Sequence, residues 1–163
     1  MAKIRVSRVV PARTGAVWEA LRDIPSHVDW MADAVAIRFV SDQRTGVGTA
    51  FDCDTKVGPI RLVDRMEVTE WEPGRAMGVR HVGLVTGTGR FSLRPSRRRR
   101  ATRVTWEEEL RFPWWLGGPI GALVGKQVLA AIWRGNLRRL EARLSERGSR
   151  GARRRGRARR RGA

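Results

Sequence analysis

The sequence predicts an α+β fold in which a strongly bent, seven-stranded antiparallel sheet wraps a long C-terminal helix, with two short helices after the first strand. Three observations carry this expectation. Apolar and polar residues alternate at period two in successive short runs between Val35 and Leu110. Turn residues separate those runs at short spacing, which requires antiparallel neighbours. From Gly118 onward the apolar period lengthens to that of an α-helix.

Ile4, Val6 and Val9–Val10 make the first strand, ended by Pro11. A short helix follows with Thr14 as N-cap and Val17, Trp18 and Leu21 on its apolar face. Pro25 breaks it, and Ser26 opens a second helix to Asp33 that carries Trp30. Val35, Ile37 and Phe39 then alternate with Ala36 and Arg38, and Gly46-Val47-Gly48 marks a turn. Thr49, Phe51 and Cys53 share the next inward face, and Gly58-Pro59 turns the chain. Ile60, Leu62, Asp64, Met66 and Val68 line one side of a long strand that ends at Glu72-Pro73-Gly74. Met77, Val79 and His81 face inward from the next strand, then Gly87, Gly89, Phe91 and Leu93, then Val104, Trp106, Glu108 and Leu110. Arg97 to Arg100 read as a solvated hairpin loop between the last two strands.

Ile120, Leu123, Val124, Val128, Ile132, Trp133, Leu137, Leu140 and Leu144 fit one long helix whose stripe shifts near Gly135-Asn136, by a kink or by two packing partners. A sheet with one apolar face needs a cover, and this helix is the only element large enough to supply it. Strands two to seven form a meander, with strand one beside the last.

Composition narrows the function classes. The 163 residues suit one domain with a single core. No apolar run approaches the roughly 18 residues of a membrane span. Met1-Ala-Lys-Ile-Arg reads as a strand rather than a signal peptide, which predicts a cytoplasmic protein. One cysteine, Cys53, excludes an internal disulfide framework, and two histidines leave no convincing zinc site even where His27, Asp29 and Asp33 lie close. Phosphate-loop, dinucleotide and nucleophile-elbow motifs are absent, so neither a cofactor nor a metal is expected.

The formal net charge of +18 is unevenly spread. Nine of the 34 basic residues lie in 147–163, which contains no acid and no apolar side chain larger than alanine. Such a tail gains too little burial to offset its ordering entropy and is expected to be disordered, leaving residues 1–146 as the folded domain. An arginine-rich tail neutralises phosphates without reading sequence, and the body lacks a nucleic-acid-reading motif, so nothing beyond non-specific tail contact is expected there. The uncharged segment from Phe112 to Gly125 reads as a buried loop and the first helical turns, or, through Trp114-Trp115, as a portal lip or a peripheral contact with an anionic membrane assisted by the tail.

The opening Ile4-Arg-Val-Ser-Arg-Val-Val-Pro-Ala, then Val17-Trp18-Glu-Ala-Leu-Arg-Asp23, Trp30, Gly46-Val-Gly-Thr, the Trp71-Glu-Pro-Gly turn and the closing amphipathic helix together resemble the START-like superfamily (SRPBCC), in its polyketide cyclase/dehydrase and lipid-transport branch. The resemblance spans Ile4 to about Glu146 and is one of order and pattern. It implies a helix-grip fold with a cavity between sheet and helix, and no particular reaction.

The inward faces then give candidate ligand contacts: Trp30, Phe51, Leu62, Met66 and Met77, with Val79, Phe91, Trp106, Ile120 and Val124. Trp18, Trp106 and Trp133 also read as core. Asp64, His81 and Glu108 stand among apolar neighbours on those faces. Either an arginine (Arg61, Arg80 or Arg90) or a twist toward solvent satisfies them, or they polarise a bound carbonyl or hydroxyl as general acid and base. Three functions follow: binding of a lipid, isoprenoid or polyketide-like molecule; cyclase or dehydratase chemistry using Glu108, Asp64 or His81; or tail-mediated association with polyanions. Dedicated cyclases of the branch place arginine and tyrosine in the cavity, and this chain has no tyrosine.

Overall fold

The computed structural model describes residues 1–98, 100–112 and 118–161, excepting the side chains of 118–124 and 150–161. Period-two burial builds seven strands: β1 (Ala2–Val10), β2 (Ala34–Phe39), β3 (Ala50–Val57), β4 (Ile60–Glu72), β5 (Ala76–Val82), β6 (Thr86–Pro95) and β7 (Thr102–Arg111). They form one antiparallel sheet in the order β1-β7-β6-β5-β4-β3-β2, the expected meander with β1 added beside β7. Two helices, α1 (Thr14–Arg22) and α2 (Gly118–Arg161), and a 3-10 helix (Ile24–Asp29) complete the chain.

Register fixes the inner face. Ile4 lies opposite Glu108 and Val6 opposite Trp106; Phe91 lies between Trp106 and Met77, and Gly89 between Glu108 and Val79. Met66 faces His81, Phe51 faces Met66, and Cys53 faces Asp64. The outer face carries cross-strand ion pairs instead, such as Arg65–Asp52, Arg80–Glu67 and Arg90–Glu70.

α2 covers the inner face. Ala130, Trp133, Leu137, Leu140 and Leu144 are buried at helical spacing, and Trp133 stacks on Trp106 with centroids 4.8 Å apart. The helix is continuous through Gly135–Asn136. The stripe shifts there because fully buried Asn136 serves a second partner, accepting a hydrogen bond from the Ala32 amide at 2.9 Å and donating to Asp33 at 2.7 Å. Val128, read into the apolar stripe, is instead exposed.

Three local expectations are corrected. α1 begins at Thr14 itself, with Arg13 as the cap residue and no side-chain cap, so Thr14 is not the N-cap. The second short helix is a 3-10 turn ending at Asp29, because Pro25 suits its first turn and Trp30 leaves helical geometry to bury its ring. A bulge between Ala34 and Ala36 turns Val35 outward while Ala34 is buried. The backbone of α2 runs on to Arg161.

Candidate functional site

Three strands bring Asp64, His81 and Glu108 together, each less than a tenth exposed. Asp64 on β4 and His81 on β5 stand diagonally across one strand pair, since His81 is registered with Met66. The His81 Nδ1–H donates to Asp64 Oδ2 at 2.6 Å. Glu108 stands two strands from His81, with β6 between them. There β6 presents Gly87 opposite His81 and Gly89 opposite Glu108. The missing side chains open the path, and Glu108 Oε2 comes to 3.0 Å from His81 Nε2.

Each glycine is required for a different reason. A Cβ on Gly87 would stand 1.9 Å from the Glu109 carbonyl oxygen, and its φ of +144° lies outside the range of ordinary residues. A Cβ on Gly89 would lie 2.8 Å from Glu108 Oε1. The second oxygen of Glu108 is held by its neighbour on the same face: the Trp106 indole N–H donates to Oε1 at 2.8 Å. Trp106 is itself clamped between Phe91 and Trp133.

Burial strongly disfavours a charged His81, but the hydrogen bond to Asp64 and the nearby negative charges of Glu108 and Asp64 outweigh it and push its pKa up to about 10. The imidazole is therefore a buried cation at neutral pH. Its contact with Glu108 is close, but the Nε2–H does not point along it. Among the described residues, His81 Nε2, Glu108 Oε2, Asp64 Oδ1 and the Trp30 indole nitrogen are buried without an aligned hydrogen-bond partner. Such atoms are costly unless something pairs with them. The two carboxyl groups engage different nitrogens of one ring rather than converging on a point, which does not suit a metal ion.

The sequence placed these three residues on inward faces, and the structure brings them into one cluster. Among the described residues no arginine pairs with them: Arg80 pairs with Glu67 and Arg90 with Glu70 on the opposite face. Trp30 is 1% exposed and packs edge-on against Phe91 and Trp106 at centroid distances of 6.2 and 6.4 Å. Met77 shares that main core, with Leu62 at its margin. Phe51, with Ile24 and Val68, forms a smaller cluster flanked by Met66 and Val79. The side chains of Ile120 and Val124, and all of Trp114 and Trp115, lie outside the described residues. Sequence reasoning missed Asn136 and the role of Gly89. A glycine registered beside an inward glutamate is the signal that could have found the latter.

The remaining candidates have structural roles. His27 is buried, its Nε2–H donating to the Leu21 carbonyl at 2.7 Å, and burial pushes its pKa down to about 4 against that bond and Asp23. Burial likewise pushes the Cys53 thiol up to about 11. Among the described residues, no helix is long and apolar enough to cross a membrane.

A seven-stranded antiparallel sheet closed by a long C-terminal helix, with polar groups collected on its apolar inner face, defines a helix-grip protein. The chain belongs to the family described as polyketide cyclase/dehydrase and lipid transport, whose model matches residues 1–147. Solved structures agree on the fold. A Thermus thermophilus protein is 16% identical with a TM-score of 0.77, covering 88% of this chain and 97% of its own. A START superfamily protein from Mycobacterium smegmatis is 15% identical with a TM-score of 0.69, covering 90% and 99%. The Zhui aromatase/cyclase from a Streptomyces species is 16% identical with a TM-score of 0.67, covering 89% and 94%. A search of curated proteins finds no match by sequence.

Proposed function

We propose that the protein binds an apolar or amphipathic small molecule, of lipid, isoprenoid or polyketide type, between the sheet and α2. The observation that carries this reading is a buried polar cluster on an otherwise apolar face: the His81 ring held between Asp64 and Glu108, with Asp64 Oδ1 and the Trp30 indole nitrogen left without a partner among the described residues. A hydroxyl or carbonyl on the ligand would pair with Glu108, His81 or Trp30, fixing orientation, while the rest of the molecule is held by apolar burial at about 25 cal/mol per Å². Trp30, Phe91, Met77 and Trp106 would supply the wall nearest those groups, and Phe51, Met66 and Val79 the wall beyond. Family membership supports the ligand class.

A second reading, ring closure with loss of water from a polyketone, is favoured by the His81 cation beside two carboxyl groups. Glu108 would take a proton from a methylene carbon, the resulting carbanion would bond to a second carbonyl carbon, and His81 would protonate the alkoxide to a hydroxyl. His81 would then take the second proton of that methylene carbon as the carbon–carbon double bond forms, and the hydroxyl would leave as water with the proton held by Glu108.

Native mass spectrometry with solvent extraction of freshly purified protein tests both. A small apolar molecule retained by the wild-type protein, and lost or weakened in Trp30→Phe and Glu108→Gln, supports binding. The same molecule in the wild type but one heavier by a water in Glu108→Gln supports the enzyme. Protein that retains nothing and takes up no lipid, isoprenoid or polyketide probe overturns the cavity reading.

A further inference from the structure

Many basic residues of the sheet are neutralised: Lys3, Arg5, Arg38, Arg65, Arg80 and Arg90 each pair with an acid on a neighbouring or nearby strand, and Arg8 pairs with Glu141 on α2. The end of the molecule where β6 turns into β7 differs. No acidic residue occurs between Glu72 and Glu107, a stretch that contains Arg94, Arg97 to Arg100 and Arg103. Arg13, at the entry to α1, and Arg98 and Arg100, from the hairpin, line one cleft of about 400 Å³ together with Thr14, Ser96 and Ala101. Among the described residues, none of these three guanidinium groups makes an ion pair or a hydrogen bond, although the Arg98 backbone amide donates to Ser96 Oγ at 3.4 Å, and all three arginines are exposed.

The cleft has a built frame. The Thr102 hydroxyl, fully buried, donates to the Ala12 carbonyl at 2.7 Å and ties the hairpin to the turn before α1. The Ser96 amide donates to the Ala101 carbonyl at 2.9 Å and closes the hairpin around Arg98 and Arg100. Arg100 is the only described non-glycine residue in the left-handed region, with φ of +58°. A glycine would hold that turn with less strain, yet the position carries a guanidinium. Three like charges held around one concavity repel one another unless an anion sits between them.

We propose that this cleft is a second binding site, separate from the inner face of the sheet, and that it takes a phosphate group. Arg98 and Arg100 offer planar forks suited to phosphate oxygens, Arg13 closes the third side, and the Ser96 and Thr14 hydroxyls add neutral donors. The phosphate can belong to a soluble phosphorylated molecule or to a lipid headgroup, and both present the same chemistry to these residues.

Titration calorimetry of the full chain with inorganic pyrophosphate, and cosedimentation with phosphatidic-acid vesicles in a phosphatidylcholine background, test it. The variant is Arg98→Ala/Arg100→Gly, and the charge-matched control is Lys56→Ala/Arg61→Ala at the opposite end of the sheet. All forms share the arginine-rich extension, so the difference between them isolates the cleft. The site predicts at least tenfold weaker pyrophosphate binding in the cleft variant, little change in the control, and a melting temperature of the variant equal to or above wild type. Vesicle binding that pyrophosphate competes away identifies a headgroup source, and pyrophosphate binding without vesicle binding identifies a soluble one. Equal losses in variant and control, or no loss in the variant, overturn the proposal.

Discussion

The Glu108 carboxyl group lies directly over Gly89, so close that a methyl group at that position would stand 2.8 Å from Oε1. The contact of Glu108 with His81 depends on this gap, because β6 runs between the strands that carry them. Gly89→Ala must therefore push Glu108 off its place or bend β6. The expected cost is about 1–3 kcal/mol of stability, as for other overpacked cores. Urea denaturation measures it, and the His81 ring resonances should shift with it. A variant with wild-type stability and unchanged His81 resonances would show that the gap is not needed.

The two buried histidines set opposite limbs of the pH–stability curve. His81 has its pKa raised on folding, so its contribution is fully present below its ordinary value of 6.5 and is lost as pH rises through about 10. His27 has its pKa lowered, so its contribution is present above 6.5 and is lost as pH falls through about 4. Denaturation midpoints from pH 4 to 10 should flatten on the alkaline side in His81→Gln and on the acid side in His27→Gln. Parallel curves for wild type and variants would contradict both assignments.

Asn136 joins α2 to the segment after the 3-10 helix through Ala32 and Asp33. Asn136→Ala leaves the Ala32 amide and an Asp33 carboxyl oxygen without this partner. The expected loss is about 1–3 kcal/mol. Hydrogen exchange should localise it, with the Ala32 amide losing protection before the β6–β7 pair does. Uniform loss of protection across the sheet would instead mark a global core defect.

Cys53 should resist thiol reagents at pH 8. The thiolate is the reactive form, and burial holds the thiol protonated up to about pH 11. Labelling in native buffer is expected to be slow and to become complete in denaturant. Rapid native labelling would mean that β3 opens readily at the sheet edge, where only β2 covers it.

The faces of Asp64, His81 and Glu108 were legible because strand alternation is a local property: each residue follows apolar neighbours two positions away. Their mutual contact was not legible. It depends on strand order, on the register that sets His81 opposite Met66, two positions from Asp64, and on two glycines in a strand that carries none of the three. The same limit explains Asn136, which reads as a polar break in a helix stripe until its partners in the loop before β2 are known.

Seven strands, their meander, the covering helix and the uneven charge follow from the order of residues alone, because periodicity and composition act over a few residues at a time. Folding in three dimensions was needed to set a buried imidazole between two carboxyl groups, and to bring Arg13 to the β6–β7 hairpin. Those relations join residues far apart in the chain, and their distances are set by register and packing, which no local pattern records.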